Sequence, residues 1–307
     1  MSNIRIALVG IGKIARDQHV PAIAKVDGVE LVAACSRHAG LDGVRSFSDF
    51  GEMLRAVPEI DAVSLCTPPT ARLSYAIETL EAGKHLVLEK PPAATISELA
   101  PVITLAEKKG LSLFTTWHSR FGDGVAPARD WLADAAIRSA RIHWHEDVRR
   151  WHPGQDWIWE PGGLGVFDPG INALSILTAI LPQPVFLTRS ELSVPANRAT
   201  PIAARLGLTD RAGTPIEAEM DWRPTDRDRW DIVVEADKGR LVLSDGGGAL
   251  TIDGQTVVGG HDNEYPNIYR RFAELVREGR SDIDLTPLTL VADAFMLGRH
   301  ESVEAFN

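Results

Sequence analysis

The chain holds only two cysteines, Cys35 and Cys66, which leaves no disulfide framework to brace a small fold. Each lies inside an apolar run, Val32-Ala33-Ala34-Cys35 and Val63-Ser64-Leu65-Cys66, and reads as a buried free thiol. Long hydrophobic runs are missing as well: no stretch reaches the roughly 18 uninterrupted apolar residues that a membrane-spanning helix needs. The opening residues Met1-Ser2-Asn3-Ile4-Arg5 pass straight into a strand-like run without a basic n-region, so no secretory signal and no membrane partner are expected, and the cytoplasm is the expected location. Positive charge is scarce, with 32 basic against 42 acidic side chains and a formal net charge of -10. A phosphate backbone would be repelled unless a basic patch compensated locally. The densest basic segment, Asp147-Val148-Arg149-Arg150, carries its own acid and reads as a solvated or ligand-facing loop, so no nucleic-acid partner is expected. Internal repeats and low-complexity tracts are absent too.

What is present is an ordinary globular composition, 44% hydrophobic and 24% charged, spread over 307 residues, which suits two domains with substantial cores. Up to about residue 118, short apolar runs alternate with helix-like segments: Ile4 to Val9, Leu31 to Ala34, Ala62 to Cys66, His85 to Leu88 and Leu111 to Thr115. That alternation predicts βαβ units around a parallel sheet buried on both faces. A helix is predicted from Thr70 to Ala82, stopped by Gly83. Beyond residue 120 the texture changes. A helix containing Pro127 to Ala135 leads to a period-two strand, Ala140 to Val148, a Trp- and Gly-rich loop, and an apolar helix from about Pro169 to Leu181. Hairpin-like strands follow at Ile202 to Thr209, Ile216 to Trp222, Trp230 to Glu235, Arg240 to Leu243 and Ala249 to Ile252, then two closing helices, Tyr265 to Glu278 and Pro287 to roughly Glu304. The expected fold is an α/β domain over residues 1–118 and an α+β domain over 119–307, the latter an open, mostly antiparallel sheet with helices on one face.

Directly after the first strand stands Gly10-Ile11-Gly12-Lys13-Ile14-Ala15, a G-x-G-x-x-A pattern opening a helix. The glycines permit a tight turn and close approach to a pyrophosphate, Ala15 lets helix and strand pack closely, and the helix N-terminus offers free N–H groups. The motif alone is weak, and tight βα packing is the bland alternative. Its place on the first strand of a βαβ series favours a Rossmann dinucleotide site that includes Gly10, Gly12, Lys13 and Ile14. At the end of the second strand, where an acid would favour NAD, the chain has Cys35-Ser36-Arg37-His38. Ser36 can bond a 2′-phosphate and Arg37 can pair with it or stack on adenine, so NADP is the expected cofactor, with NAD also possible. After the third strand, Cys66-Thr67-Pro68-Pro69-Thr70 sits where a doubly wound sheet opens its crevice. Cys66, Thr67 and Pro68 are cofactor-site candidates, and Thr70 is placed to cap the next helix.

The fourth strand ends in Leu88-Glu89-Lys90-Pro91-Pro92. A lysine at the end of a buried strand is costly unless partnered or used, and Pro91, with no N–H, holds Lys90 at the rim. Glu89 and Lys90 join the cofactor-site candidates.

Three blocks together resemble the Gfo/Idh/MocA oxidoreductase family: the first βα turn, Ala82-Gly83-Lys84-His85 to Glu89-Lys90-Pro91, and Gly162-Gly163-Leu164-Gly165-Val166-Phe167-Asp168-Pro169-Gly170-Ile171-Asn172. The segment from Glu146 to Ser175 is similar to the branch of that family that oxidises L-arabinose and D-galactose at C1 to the aldonolactone with NAD(P)+. The resemblance implies that Lys90 is the catalytic lysine, that the Lys90–Pro91 bond is cis, and that the second domain's sheet joins a homo-oligomer, a dimer. The family often has histidine where this chain has Asn172, so proton handling falls on Lys90 and Asp168. Asp168 precedes Pro169 and lies at a helix N-terminus, and Asn172, four residues on, shares its face. Helix capping by Asp168 and plain packing by Asn172 are the bland alternatives.

Removing a hydride from C1 of a cyclic sugar requires a base at the C1 hydroxyl, and Lys90 can be that base only in its neutral form. Six of eight tryptophans, Trp117, Trp131, Trp144, Trp151, Trp157 and Trp159, fall within residues 117–159. Sugars stack their C–H faces on aromatic rings. Most of these indoles are expected in the core; Trp151 and, more weakly, Trp230 are expected as walls of a sugar site. His118, Glu146 and His152 are the candidates for reading hydroxyls. A zinc site from His143, His145 and His152 lacks cysteine and any repeated ligand spacing, and no metal is expected. Two other readings stay open: a non-catalytic NAD(P)-bound sensor of the same fold, and a family oxidoreductase acting on another polyol.

Overall fold

The computed structural model describes residues 3–260 and 263–307. It separates into two compact units, one of residues 1–117 with 265–284, the other of 118–264 with 285–307.

The first unit is built on six strands: β1 (Ile4–Val9), β2 (Val29–Cys35), β3 (Arg45–Phe47), β4 (Ala62–Leu65), β5 (His85–Glu89) and β6 (Leu113–Thr116). They pair in parallel in the order β3-β2-β1-β4-β5-β6, the Rossmann arrangement, with its switch point between β1 and β4. Helices cover both faces, so Ile6, Ala7, Leu8, Ala62, Val63 and Leu65 are all sealed from solvent and the strands read as unbroken apolar runs. Cys35 is buried and free, and burial, with Asp49 nearby, pushes its thiol up to about 11. Cys66 is free but only half-buried, a departure from the expected pair of buried thiols. The helix after β4 runs Arg72–Glu81 behind a 3-10 turn, Pro69–Ala71, and no side chain caps it. Thr70 therefore does not cap it as expected. Gly83, at φ 73°, ends the segment as predicted.

The expected single block 119–307 is corrected by the segment Tyr265–Asp284, which belongs to the first unit. The cause is the helix Glu264–Glu278, whose Tyr265, Ile268, Tyr269, Phe272 and Leu275 are buried along one face, the spacing of an amphipathic stripe. Phe272 stacks on Phe114 of β6 at 6.4 Å between centroids. Burying a side chain of that size contributes roughly 1.5–3 kcal/mol. Beyond the helix, Thr115 N donates to Asp282 O at 3.1 Å and Asp282 N to Leu113 O at 3.0 Å, so the returning chain covers the otherwise open edge of β6.

The second unit carries β7 (Ile137–His145), β8 (Phe186–Pro195), β9 (Ala203–Thr209), β10 (Ile216–Asp221), β11 (Arg229–Ala236), β12 (Gly239–Ser244), β13 (Ala249–Ile252), β14 (Gln255–Gly259) and β15 (Gly298–Val303). Their order is β14-β13-β12-β11-β7-β10-β9-β8-β15, antiparallel except where β7 meets β10 and β8 meets β15. Helices Val125–Leu132, Phe167–Ile180 and Thr286–Met296 pack on the sheet. Helix Phe167–Ile180 is apolar almost all round, with 12 of its 14 residues buried, as a core helix should be. Gly170 brings it close to the sheet, since a Cβ there would lie 2.4 Å from Met220 Sδ on β10. Three strands go beyond the expectation: β8, β14 and β15, the last because the final helix stops at Met296, after which Gly298–Val303 is a strand parallel to β8. Its alternating exposed charges, Arg299 and Glu301, suit an edge strand.

Candidate active site

Each unit contributes a polar constellation, and each stands by itself.

In the first unit the turn after β1 lies against the end of β4. Gly10 takes φ +88°, and a Cβ on it would come 2.7 Å from Thr67 N, so only glycine fits. Gly12 differs, because a Cβ there meets nothing within 4 Å. No neighbour in the protein demands a glycine at that position, which suits the backbone approach of a pyrophosphate. Thr67 Oγ1 is buried without a hydrogen-bond partner, a state that a bound group would relieve. These observations fit a dinucleotide. Lys13 pairs with Asp17 one turn on, Ile14 is exposed, and Ser36 N donates to Phe47 O at 3.0 Å. Arg37 is exposed and free to meet a ligand anion.

The lip of β5 is held from beneath. The Lys90–Pro91 bond is cis. Glu89, 2% exposed, accepts from Lys90 N at 2.6 Å with Oε2 and from Tyr265 Oη at 2.8 Å with Oε1. His19, fully buried, lies 3.2 Å from Glu89 Oε1 through Nε2 and 2.7 Å from Tyr269 Oη through Nδ1. Burial works against charge on His19, but Cys66, Tyr269 and Glu89 outweigh it and hold the imidazole well above its ordinary pKa. Arg72 donates to Thr67 O at 2.8 Å and also to Glu89 O and Pro91 O. One guanidinium thus ties the end of β4 to both sides of Lys90. Sequence reasoning missed Arg72, His19, Tyr265 and Tyr269. One signal was available: two of the chain's three tyrosines stand four residues apart, on one helical face.

In the second unit β7 delivers Glu146 to a cluster of aromatic rings. Each carboxylate oxygen of Glu146 accepts an indole N–H, from Trp222 at 3.1 Å and from Trp230 at 2.8 Å. His152 Nε2 lies 3.8 Å from Glu146 Oε1 and 3.6 Å from Asp168 Oδ2, with its ring edge-on to Trp222 at 5.0 Å. A short helix, Val148–Trp151, capped by Asp147 through Arg149 N at 2.9 Å, sets the preceding turn. Trp151, 40% exposed, leans on Trp230 at 5.3 Å and donates to Asp228 at 3.1 Å. Asp168 occupies the first turn of helix Phe167–Ile180, as expected, and is 3% exposed. Asn172 Oδ1, one turn on, is buried without a partner. The structure therefore brings together Glu146, Trp151, His152, Asp168 and Trp230. His118 is paired instead with Glu264, at 2.6 Å. Trp222, fully buried, and Asp228 were missed. Trp222 stands at the end of β10 and is parted from Glu146 by 76 positions, so nothing local in the sequence joins them.

Comparison with known proteins is consistent across both units. Residues 4–116 match the family described as "Oxidoreductase family, NAD-binding Rossmann fold" (GFO_IDH_MocA). Galactose 1-dehydrogenase of Pseudomonas fluorescens is 44% identical over 306 residues, covering 100% of this chain and 99% of that protein. The crystal structure of D-galactose-1-dehydrogenase from Rhizobium etli superposes with a TM-score of 0.96 at 55% identity, over 100% of this chain and 99% of the other. A 3-ketoreductase from Actinomadura kijaniata, KijD10, solved with NADP and TDP-benzene, shares the fold at a TM-score of 0.85 and 19% identity over 100% of both chains.

Proposed function

The chain belongs to the Gfo/Idh/MocA oxidoreductase family, and we propose that it is an NAD(P)-dependent sugar dehydrogenase oxidising C1 of D-galactose, L-arabinose or D-fucose to the lactone. The observation that carries this reading is likeness over the whole chain to two galactose 1-dehydrogenases. It is supported by buried carboxylates beside a half-buried imidazole and indole, a grouping of the kind that binds sugars.

Roles divide by unit. The first unit binds the cofactor through the Gly10–Gly12 turn and Thr67, with Ser36 and Arg37 favouring NADP and NAD also accepted. When bound, the nicotinamide supplies the hydride acceptor. Lys90 takes the proton from the C1 hydroxyl, and Glu89, braced by His19 and Tyr265, fixes the backbone that carries it. In the second unit His152 and Asn172 read hydroxyls, and Asp168 holds or relays a proton. Glu146 acts by orienting Trp222, Trp230 and His152, while Trp151 and Trp230 meet the sugar's apolar face. His118 takes part through Glu264. We further propose a dimer through the second unit's sheet, and a cytoplasmic location, which suits two free thiols. No helix among the described residues is long and apolar enough to cross a membrane.

Absorbance at 340 nm tests the reading on mixing protein, NADP+ and a panel of D-galactose, L-arabinose, D-fucose and an inositol. Lys90→Ala should lower kcat by about 10²–10⁴-fold with cofactor affinity kept. No reduction with any sugar, despite NADP+ binding, would sink the dehydrogenase reading in favour of a sensor.

A further inference from the structure

On β7 the side chains alternate. Ala140, Ile142 and Trp144 are buried on the face toward helix Phe167–Ile180, and His143 and His145 point to the opposite face. β10 runs parallel to β7 with Glu219 in register with His143, so its carboxylate joins the two imidazoles. One ring nitrogen from each histidine and one Glu219 oxygen all lie within 4.8 Å of one another. His143 Nδ1 is 3.9 Å from Glu219 Oε2, and the two rings meet edge to face at 6.3 Å. His145 Nε2 is buried and has no hydrogen-bond partner.

We propose that His143, His145 and Glu219 form a binding site for a borderline divalent cation, zinc foremost, on the helix-free face of the second unit's sheet, the same face that the dimer proposed above would use. Two imidazoles and a carboxylate are the donors that such ions prefer, and a fourth position stays open to water. The His-x-His spacing on a strand puts both ligands on one side, and the adjoining strand supplies the third. Around tetrahedral zinc, ligand atoms at about 2.0–2.1 Å from the metal sit roughly 3.4 Å apart. The cluster closes to that spacing by rotation of side chains, with the backbone register unchanged. Glu219 Oε1 is 3.3 Å from Arg205, a partner that fixes the carboxylate while Oε2 faces the histidines, as ligating carboxylates are commonly held. The orphaned Nε2 of His145 would gain the partner it lacks. His152, once grouped with these histidines on sequence, lies instead beside Glu146 and Asp168. The ion would clamp β7 to β10 and take no part in sugar oxidation, so the proposal stands apart from the dehydrogenase reading.

Tag-free, chelator-stripped protein titrated with Co2+ should develop visible d–d bands that saturate at one ion per chain and are displaced by Zn2+. His145→Ala should abolish the bands, and Glu219→Gln should weaken Co2+ at least tenfold. Zinc should raise the Tm of the wild type and leave that of His145→Ala where it was, while turnover of sugar is the same in stripped and loaded protein. Because the wild-type titration needs no variant, misfolding of a mutant cannot rescue the idea. Absence of saturable bands, full affinity in a folded His145→Ala, or half an ion per chain would each overturn it.

Discussion

Replacing Gly12 by alanine separates the demands of the fold from those of a ligand. The backbone there is outside the left-handed region and a Cβ would meet no atom within 4 Å, so the folded protein loses nothing. A compatible Gly→Ala exchange stabilises by about 0.4–1 kcal/mol through the unfolded chain, or about 1–4 °C in Tm for a unit of this size. The added methyl would occupy the space a pyrophosphate needs. Displacing the phosphates far enough to break one charge-assisted hydrogen bond removes about 1.5–3 kcal/mol, roughly a 10- to 150-fold rise in Kd. Calorimetric titration with NADP+, beside a thermal melt, reads both quantities on one sample. Gly10→Ala is the control, since φ +88° and a 2.7 Å approach to Thr67 N should cost stability as well. An alanine at position 12 that binds NADP+ as tightly as the wild type would refute the placement of the phosphates at this turn.

Other substitutions probe the remaining assignments. Arg37→Ala should weaken NADP+ by roughly 10- to 150-fold, the worth of one charge-assisted contact, and NAD+ hardly at all; equal losses in parallel titrations would remove the 2′-phosphate contact. Glu146→Gln leaves one of two indole N–H groups without its acceptor, so the melt should report a loss of about 1–3 kcal/mol and KM for the sugar should rise more than kcat falls; unchanged KM would exclude Glu146 from orienting the aromatic wall. Asp210 accepts from Ala212 N at 2.8 Å, Thr214 N at 3.1 Å and Thr214 Oγ1 at 2.8 Å, and these bonds, the backbone N–H of Thr214 first, hold its carboxyl below the ordinary range. An unfolded aspartate titrates near about 3.9, so this stabilisation is whole above that pH and is lost as pH falls through the lower folded value. Urea midpoints from pH 3 to 6 should therefore fall more steeply for the wild type than for Asp210→Asn; parallel curves would contradict the assignment.

The sequence carried the parallel sheet plainly because burial on both faces turns each strand into an apolar run, and β1, β4 and β5 fall within a residue or two of where the runs are. Asp168 was legible at its helix start because proline follows it. Edge strands were not legible: β15, Gly-Arg-His-Glu-Ser-Val, carries charge on alternate positions with no apolar face, and a continuing helix was the simpler extrapolation. The domain boundary failed for a different reason. The stripe Tyr265, Ile268, Tyr269, Phe272 announces a buried face without naming the surface it covers. The same holds at the site, where Glu146 was found as a polar residue at a strand end, but its partners Trp222 and Trp230 are joined to it only by strand register. Arg72 was invisible because the groups it binds are backbone carbonyls, which no pattern of side chains records.

The return of Tyr265–Asp284 to the nucleotide-binding unit governs how the protein can be made and cut. During synthesis the first 117 residues leave the ribosome long before the helix that seals Phe114 and braces Glu89 through Tyr265 exists, so this unit waits, its edge strand uncovered, until most of the chain has been translated. A fragment trimmed at the apparent boundary would inherit that uncovered surface permanently and would be prone to aggregate. Expressing the nucleotide-binding half alone therefore calls for residues 265–284 to be spliced back behind residue 117.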